Sequence, residues 1–261
     1  MQSLNSQSEK LDTVKDEFIS IVSHELRTPM STIKGYLNML LAGDAGPVSP
    51  QVRDILTEML LAIEREIRLV NGMLDISRLE AGRMQFNLRD DVDVVGQARL
   101  LFQSLVRAAS EKKLSLILET PEESLPKAQA DIDKFIQVLI NLVGNAMKFT
   151  KNGSITISFA KEGDFVVTSV SDTGPGIPKD KQPHLFEKFS QASTKETRVS
   201  GGSGLGLYIS KFIIEKMGGE IWLARSTQDA GSNFCFSLPS GGSEKAKEVA
   251  ANLKREEKTD E

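Results

Sequence analysis

The sequence contains one cysteine (Cys235), one tryptophan (Trp222) and only two histidines, His24 and His184, among 261 residues. A lone cysteine excludes an intrachain disulfide and points to a reducing, cytoplasmic setting. Long apolar runs are missing too. Phe135–Val143 and Tyr208–Ile214 are short and broken by polar residues, far from the roughly 20 apolar positions a bilayer span needs, so no membrane-crossing segment is expected. The N-terminal MQSLNSQSEKLD has no basic stretch followed by an apolar one, so it does not read as a secretory signal. There is no excess of positive charge either: Lys+Arg total 32 against Asp+Glu 36, a net charge of -4, which argues against nucleic acid as a partner. What remains, 39% hydrophobic and 26% charged residues, suits one or two globular domains with a real core.

Apolar residues at Leu4, Leu11 and Phe18, with a second series at Val14 and Ile21, repeat as heptads and predict a coiled-coil helix. Pro29 is expected to interrupt it, since Ile33, Leu37 and Leu40 are out of phase with the earlier series, as a proline kink would produce, and the helix is expected to resume beyond it. GDAGPVS (Gly43–Ser49) reads as a turn. Val52, Leu56, Met59, Ile63 and Val70, widened by Leu60, Ile67 and Leu74, then give a second long helix ending near Ala81–Gly82. An antiparallel helical hairpin with so wide a stripe cannot bury it alone, and pairing of two copies as a four-helix bundle is the economical solution. A homodimer is therefore expected.

Beyond Gly82 the pattern changes to α+β. MQFNLRDDV reads as a strand, Val92–Ser110 as helix, LSLILET as strand and Asp131–Phe149 as helix, with SITISFA and DFVVTSVS forming a hairpin around Lys161–Gly163. The polar stretch from Pro178 to Gly202 is too long for an ordinary connection and resembles a functional lid. A helix (Leu205–Met217) and the strands EIWLARS and SNFCFSLP follow, and residues 241–261 read as a frayed tail.

Four groups of residues carry chemistry. In SHELRTP, the heptad frame places His24 beside the apolar seam, exposed and titratable, with Thr28 on the same face and Glu25 about 100° round the helix. HELRT begins like a zinc-protease HExxH motif, but Thr28 stands where the second ligand would be, so no zinc site is supported. On the helix DIDKFIQVLINLVGNAMKFT, the core stripe is Ile132, Phe135/Ile136, Leu139 and Val143, while Asn141, Asn145 and Lys148 line another face. Asn is a poor residue for a helix interior. Two in line suit oxygen coordination of Mg²⁺, and Lys148 suits phosphate, although a merely solvated face is the plainer alternative.

In SVSDTGPGIP, Asp172 ends a strand and can accept from an exocyclic purine amine, with Gly174 and Gly176 allowing close approach. The DTG triplet also opens the aspartic-protease signature, but there is one copy in a largely helical chain. GGSGLGLYIS (Gly201–Ser210) runs a glycine-rich loop into a helix whose N-terminus favours phosphate, without the Gly-Lys-Ser/Thr of a Walker loop or a GxGxxG spacing.

In this order the elements resemble the bacterial sensor histidine kinases of two-component signalling, over roughly residues 10 to 240. SHELRTP resembles the H box, NLVGNAMKFT the N box, DTGPGIP the G1 box, LFEKF the F box and GGSGLGL the G2 box, while ISRLEAG looks like the family's linker. The resemblance implies a signalling-helix segment (1–15), a dimerisation and histidine-phosphotransfer hairpin (16–82), and a catalytic ATP-binding sandwich of the Bergerat/GHKL type (83–240) shared with Hsp90 and gyrase. It implies transfer of the γ-phosphoryl of ATP to His24, then to an aspartate of a response-regulator receiver domain. Glu25 would take the role of general base, and Thr28 would orient water in a phosphatase reaction. It further implies that Asp172 holds the adenine amine and that Asn145, assisted by Asn141, holds Mg²⁺, with Lys148 facing the phosphates. Gly174, Gly176, Gly202, Gly204, Leu205 and Gly206 would shape the nucleotide loop, with Phe186 and Phe189 anchoring its base and Lys188, Gln191 and Arg198 as lesser contributors.

His184 and Trp222 are expected to be structural, and Cys235 a small core residue. A chaperone-like or gyrase-like ATPase and a non-catalytic dimeric scaffold are the competing functions. The former carries a water-activating glutamate near the position of Asn141, and the latter would not need the Asn, Asp and Gly positions. The chain is expected to be cytoplasmic, either by itself or as the soluble core of a membrane-anchored receptor.

Overall fold

A computed structural model describes residues 22, 25–190 and 203–259. The heptads predicted over residues 4–21 lie outside that set. The chain divides into two compact units, the first holding a helical hairpin and the second, from Phe86 onward, the sheet and the other helices.

In the hairpin, α1 spans 25–42 and α2 spans Pro50–Glu80. Ser49 caps α2 by accepting from the Val52 N–H at 3.3 Å, and Pro50 takes the first-turn position where its missing N–H is harmless. The helices are antiparallel and tied along their length. Arg27 Nη2 donates to Asn71 Oδ1 (2.9 Å), Lys34 pairs with Glu64 (2.7 Å), and Arg53 Nη1 reaches the Leu41 carbonyl (3.0 Å). The helix continues past Pro29, as expected, since 25–42 is one helical run. A proline bends a helix without ending it when the turns beyond it are held, and here the Arg27 and Lys34 ties bracket the position. Leu37, Leu56, Val70 and Leu74 are buried, whereas Leu26, Ile33, Met39, Val52, Ile55, Met59 and Met73 remain exposed.

The second unit is built on a five-stranded mixed sheet in the order β2-β4-β5-β7-β6, from β2 (Leu114–Leu118), β4 (Gly153–Glu162), β5 (Phe165–Asp172), β6 (Ile221–Ser226) and β7 (Ser232–Pro239). Only β2 and β4 are parallel, joined across the helix α4 (Ile132–Phe149). Helices α3 (Val94–Glu111), α4 and α5 (Gly206–Lys216) cover one face. Period-two alternation sets that face. Cross-strand neighbours Ile157, Val170 and Phe234, and Phe159, Thr168 and Phe236, point towards the helices, where the Phe236 ring lies 5.9 Å from that of Phe135 on α4.

A small ladder of β1 (Arg89–Val92) and β3 (Ala128–Ala130) completes the sheets. The strand predicted over MQFNLRDDV is thus shorter than its alternation suggests. Residues 83–88 are irregular, and there the Asn87 N–H goes to the Asp131 carboxylate instead of a ladder (2.8 Å).

The frayed tail expected over 241–261 is also corrected. Helix α6 spans Glu244–Thr259, with the Ser243 hydroxyl accepting from Ala246 N–H at 3.1 Å. Ala246 and Val249 are buried, Val249 where a Cβ on Gly218 would stand. An amphipathic spacing three apart after a serine cap was the signal that charge had obscured.

One core residue gives a stability prediction. Thr168 is 1% exposed between two phenylalanines, and its hydroxyl has no hydrogen-bond partner. Thr168→Val keeps the shape and removes an unsatisfied buried group worth about 1 kcal/mol or more. Thermal unfolding is expected to shift up by about 2–4 °C, and a lower midpoint would show that the hydroxyl is bonded.

Candidate active site

The geometry is organised around α4. Its N-terminus is fixed by Asp131, a buried cap whose Oδ1 accepts from the N–H groups of Asp133 (2.9 Å) and Lys134 (3.1 Å). Phe135, Val138, Leu139, Leu142, Val143, Ala146 and Met147 are buried, and the row of Asn141, Asn145 and Lys148 is half-buried beside them.

Asn141 meets α5. Its Nδ2 donates to Ser210 Oγ at 2.9 Å, and its Oδ1 occupies the place a Cβ on Gly206 would need. At the other end of α4, the Gly174 backbone comes so close that a Cβ there would stand 2.8 Å from Asp172 Oδ1 and 3.2 Å from Thr150 Oγ1. Lys148 lays its Nζ 4.7 Å from the centre of the Phe149 ring.

Asp172 ends β5 on the helix-covered face, since its neighbours Ile155 and Ser232 continue that register. Burial pushes its carboxyl above the ordinary aspartate range, opposed by the backbone N–H groups of Gly174 (2.8 Å) and Ser232. Gly176 is needed for packing as well as access. It adopts φ +69, and a Cβ would strike the Thr227 carbonyl. The loop is further pinned by the Ile177 N–H to Ser226 Oγ (2.8 Å) and the Asp229 N–H to the Pro175 carbonyl (2.9 Å). The G1-like segment is thus held against the β6–β7 turn, presenting Asp172 from a rigid base.

In the F-box region, Phe186 packs edge-on to Phe234 with ring centres 6.4 Å apart, and Lys188 Nζ lies 5.2 Å from the Tyr208 ring centre. Phe189 does not anchor the segment as expected. At φ +60 the backbone is left-handed and the ring is 60% exposed. Gly204 adopts φ +73, the Leu205 N–H bonds to Ser203 Oγ at 3.3 Å, and Leu205 is buried. His24, Gln191, Arg198 and Gly202 lie outside the described residues. Glu25 and Thr28 are exposed on α1.

His184 bonds to Glu187 at the surface (2.9 Å). Cys235 is buried on the sheet face away from the helices, 3.0 Å from Ser169 Oγ, and burial pushes its thiol up. A cleft of about 670 Å³ on that same face, lined by Phe165, Val167 and Trp222, holds none of the residues above. Sequence reasoning missed Ser210 and Thr150. The one signal for Ser210 was its position one turn beyond Gly206.

Among the described residues no group of three or more His, Cys, Asp or Glu side chains could hold a metal. The fit to Mg²⁺ therefore rests on the amide oxygens of Asn141 and Asn145, which are hard donors of the right kind for an ion shared with phosphates.

Two families match the sequence. Residues 14–82 match the His Kinase A (phospho-acceptor) domain, and residues 130–242 match the histidine kinase-, DNA gyrase B- and HSP90-like ATPase. The sensor histidine kinase WalK of Bacillus subtilis is 34% identical over 90% of this chain and 38% of its own length. The circadian input-output histidine kinase CikA of Synechococcus elongatus is 35% identical over 87% of this chain and 30% of its own. The chain thus spans about a third of the length of these curated relatives. Among solved structures, full-length ShkA in complex with AMPPNP superposes with a TM-score of 0.66 at 31% identity, covering 85% of this chain and 45% of that one. Acinetobacter baumannii AdeS, at 23% identity and a TM-score of 0.58, covers 84% of this chain and 98% of its own and shares the fold. With both domains matched in order, the chain belongs to the two-component sensor histidine kinases.

Proposed function

We propose that the chain is the catalytic core of an ATP-dependent protein-histidine kinase that phosphorylates His24, passes the phosphoryl group to an aspartate of a response-regulator receiver domain, and also dephosphorylates that regulator. One observation supports the nucleotide reading above all. Motifs far apart in sequence converge on α4, with Gly206 against Asn141 and with Gly174 and Asp172 against the helix's C-terminal end. ShkA, which superposes on most of the chain, is described in complex with AMPPNP.

In this reading Asp172 accepts the adenine amine, and the backbone around Gly174 lies close to the ring. Asn145 and Asn141 hold Mg²⁺ and Lys148 faces the phosphates. When bound, the ion neutralises charge developing on the phosphoryl oxygens. Phosphoryl transfer needs little covalent assistance, so the protein's task is alignment. The imidazole of His24 attacks phosphorus in line, the N–P bond forms as the bond to the ADP oxygen breaks, and Glu25 accepts the ring proton. Thr28, exposed three residues beyond Glu25, is assigned to orienting water against the regulator's phosphoaspartate.

The apolar side chains left exposed on the hairpin, Leu26, Ile33, Val52, Met59 and Met73 among them, support a homodimer through this unit. No helix among the described residues is long and apolar enough to cross a membrane. A cytoplasmic setting, as the core of a membrane-anchored receptor, fits this reading.

Incubation with γ-labelled ATP and Mg²⁺ tests the activity. Label that is labile to acid and stable to alkali supports the kinase, whereas free phosphate alone supports the ATPase alternative. The same assay separates two residues. Glu25→Gln is expected to slow autophosphorylation by about 100-fold, within the range for a general base. Thr28→Ala is expected to spare autophosphorylation but weaken regulator dephosphorylation, and equal loss of both in the Thr28 variant would refute that division of labour.

A further inference from the structure

We propose that Asp131 is a positioning residue for phosphoryl transfer: its carboxylate fastens the chain arriving from the hairpin to the first turn of α4, and so keeps the tether between the two units short. This rests on the kinase reading above and goes beyond it, because Asp131 lies in none of the residues assigned to the nucleotide, the metal or the phosphoryl group.

The hairpin ends in a hydrogen-bonded turn. Gly82 adopts φ +68 and the Arg83 N–H closes on the Arg78 carbonyl at 2.8 Å, so the chain is fixed to α2 as far as Arg83. The next fixed point is Asn87, whose N–H donates to Asp131 Oδ2 at 2.8 Å. Between them, among the described residues, the backbone of 84–86 makes no hydrogen bond to other backbone, and the division between the two units falls after Gln85. Asp131 itself is firmly held. Its Oδ1 accepts from the Asp133 and Lys134 N–H groups, its own N–H goes to Met217 Sδ at 3.4 Å, and it is 7% exposed. The Phe86 ring, 6.0 Å from Lys134 Nζ, leans on the same turn of α4. Without the bond to Asn87 the first anchored residue would be Arg89, paired with Ala130, and the tether would run over 84–88.

Transfer between two units on one chain depends on how closely the tether confines them, since confinement sets the effective concentration of one reacting group at the other. The measurements are the saturated rate and KM of autophosphorylation of the full chain with γ-labelled ATP, calorimetry with ADP, and hydrogen exchange at the Asn87 amide. Asparagine caps helices as well as aspartate does. Asp131→Asn therefore keeps its oxygen on the two α4 N–H groups and turns a donor towards Asn87. The Asn87 amide is expected to pass from protected to freely exchanging, with ADP affinity and KM unchanged. The saturated rate is expected to fall by about twofold or more, as effective concentration drops with roughly the −3/2 power of a tether lengthened from 84–86 to 84–88. Two glycines inserted after Gln85 give the same tether length with Asp131 untouched. They are expected to lower the saturated rate equally, with the Asn87 amide still protected.

The proposal is overturned if the Asn87 amide exchanges freely in the wild type, if Asp131→Asn lowers ADP affinity as much as the rate, or if either variant leaves the saturated rate unchanged or raises it. A wild-type chain that takes no label from ATP would overturn the kinase reading itself and this inference with it. Normal wild-type labelling beside any of the earlier outcomes overturns the Asp131 role alone.

Discussion

Asp172→Asn is expected to weaken ATP binding by about 10- to 100-fold, the loss that follows when a charge-assisted hydrogen bond of ~1.5–3 kcal/mol is removed. The carboxylate offers only acceptors to a purine amine, whereas an amide brings a competing donor. Stability separates this from unfolding. Burial raises the Asp172 pKa, so the folded chain holds this proton more tightly than the unfolded one. The stabilisation linked to it is full below the ordinary aspartate value and is lost as pH rises through the folded value. At neutral pH the buried charge is therefore a burden, and asparagine, which can still accept from the Gly174 N–H through its oxygen, is expected to leave the unfolding midpoint equal or higher. Calorimetric titration with ATP beside thermal unfolding checks both halves. Unchanged affinity would remove Asp172 from the adenine site, and a collapsed midpoint would make its role structural.

His24→Gln is expected to abolish covalent labelling from γ-labelled ATP altogether, while ATP affinity stays within about twofold, because His24 is in none of the residues assigned to holding the nucleotide. Glutamine keeps a polar side chain of similar reach but offers no nucleophilic ring nitrogen. Surviving label in the variant would place the acceptor elsewhere, with His184, bonded to Glu187 at the surface of the second unit, as the other histidine to examine.

Much of the architecture was legible because periodicity reports burial directly. The 3.6-residue spacing of Phe135, Leu139 and Val143 and the period-two spacing of Ile155, Ile157 and Phe159 are the buried faces of α4 and β4. Elements whose partners are remote in sequence were less legible. β3 is three residues long and exists through its pairing with β1, and α6 is anchored by Val249 against Gly218. Its charged sequence therefore reads as solvent-exposed until the site it docks on is known.

The same division runs through the active site. Spacing alone puts Asn141, Asn145 and Lys148 on one line, but it does not tell which neighbour takes each side chain. Asn141 bonds to a hydroxyl 69 residues away, and Lys148 lies over the adjacent Phe149 ring. Glycine was read as room for a ligand. In the packed loop Gly174 answers to Asp172 Oδ1 and Thr150, and Gly176 to the Thr227 backbone. Sequence shows where glycine is required, and only the packed loop shows what requires it.

The central claim is that ATP bound in the second unit phosphorylates the hairpin's histidine. Peptide mapping by mass spectrometry under alkaline conditions, after incubation with ATP and Mg²⁺, measures this directly. The account predicts a phosphoryl group on the peptide bearing His24, lost on brief acid treatment and absent from Asp172→Asn at low ATP. Steady release of inorganic phosphate with that peptide unmodified throughout would contradict it.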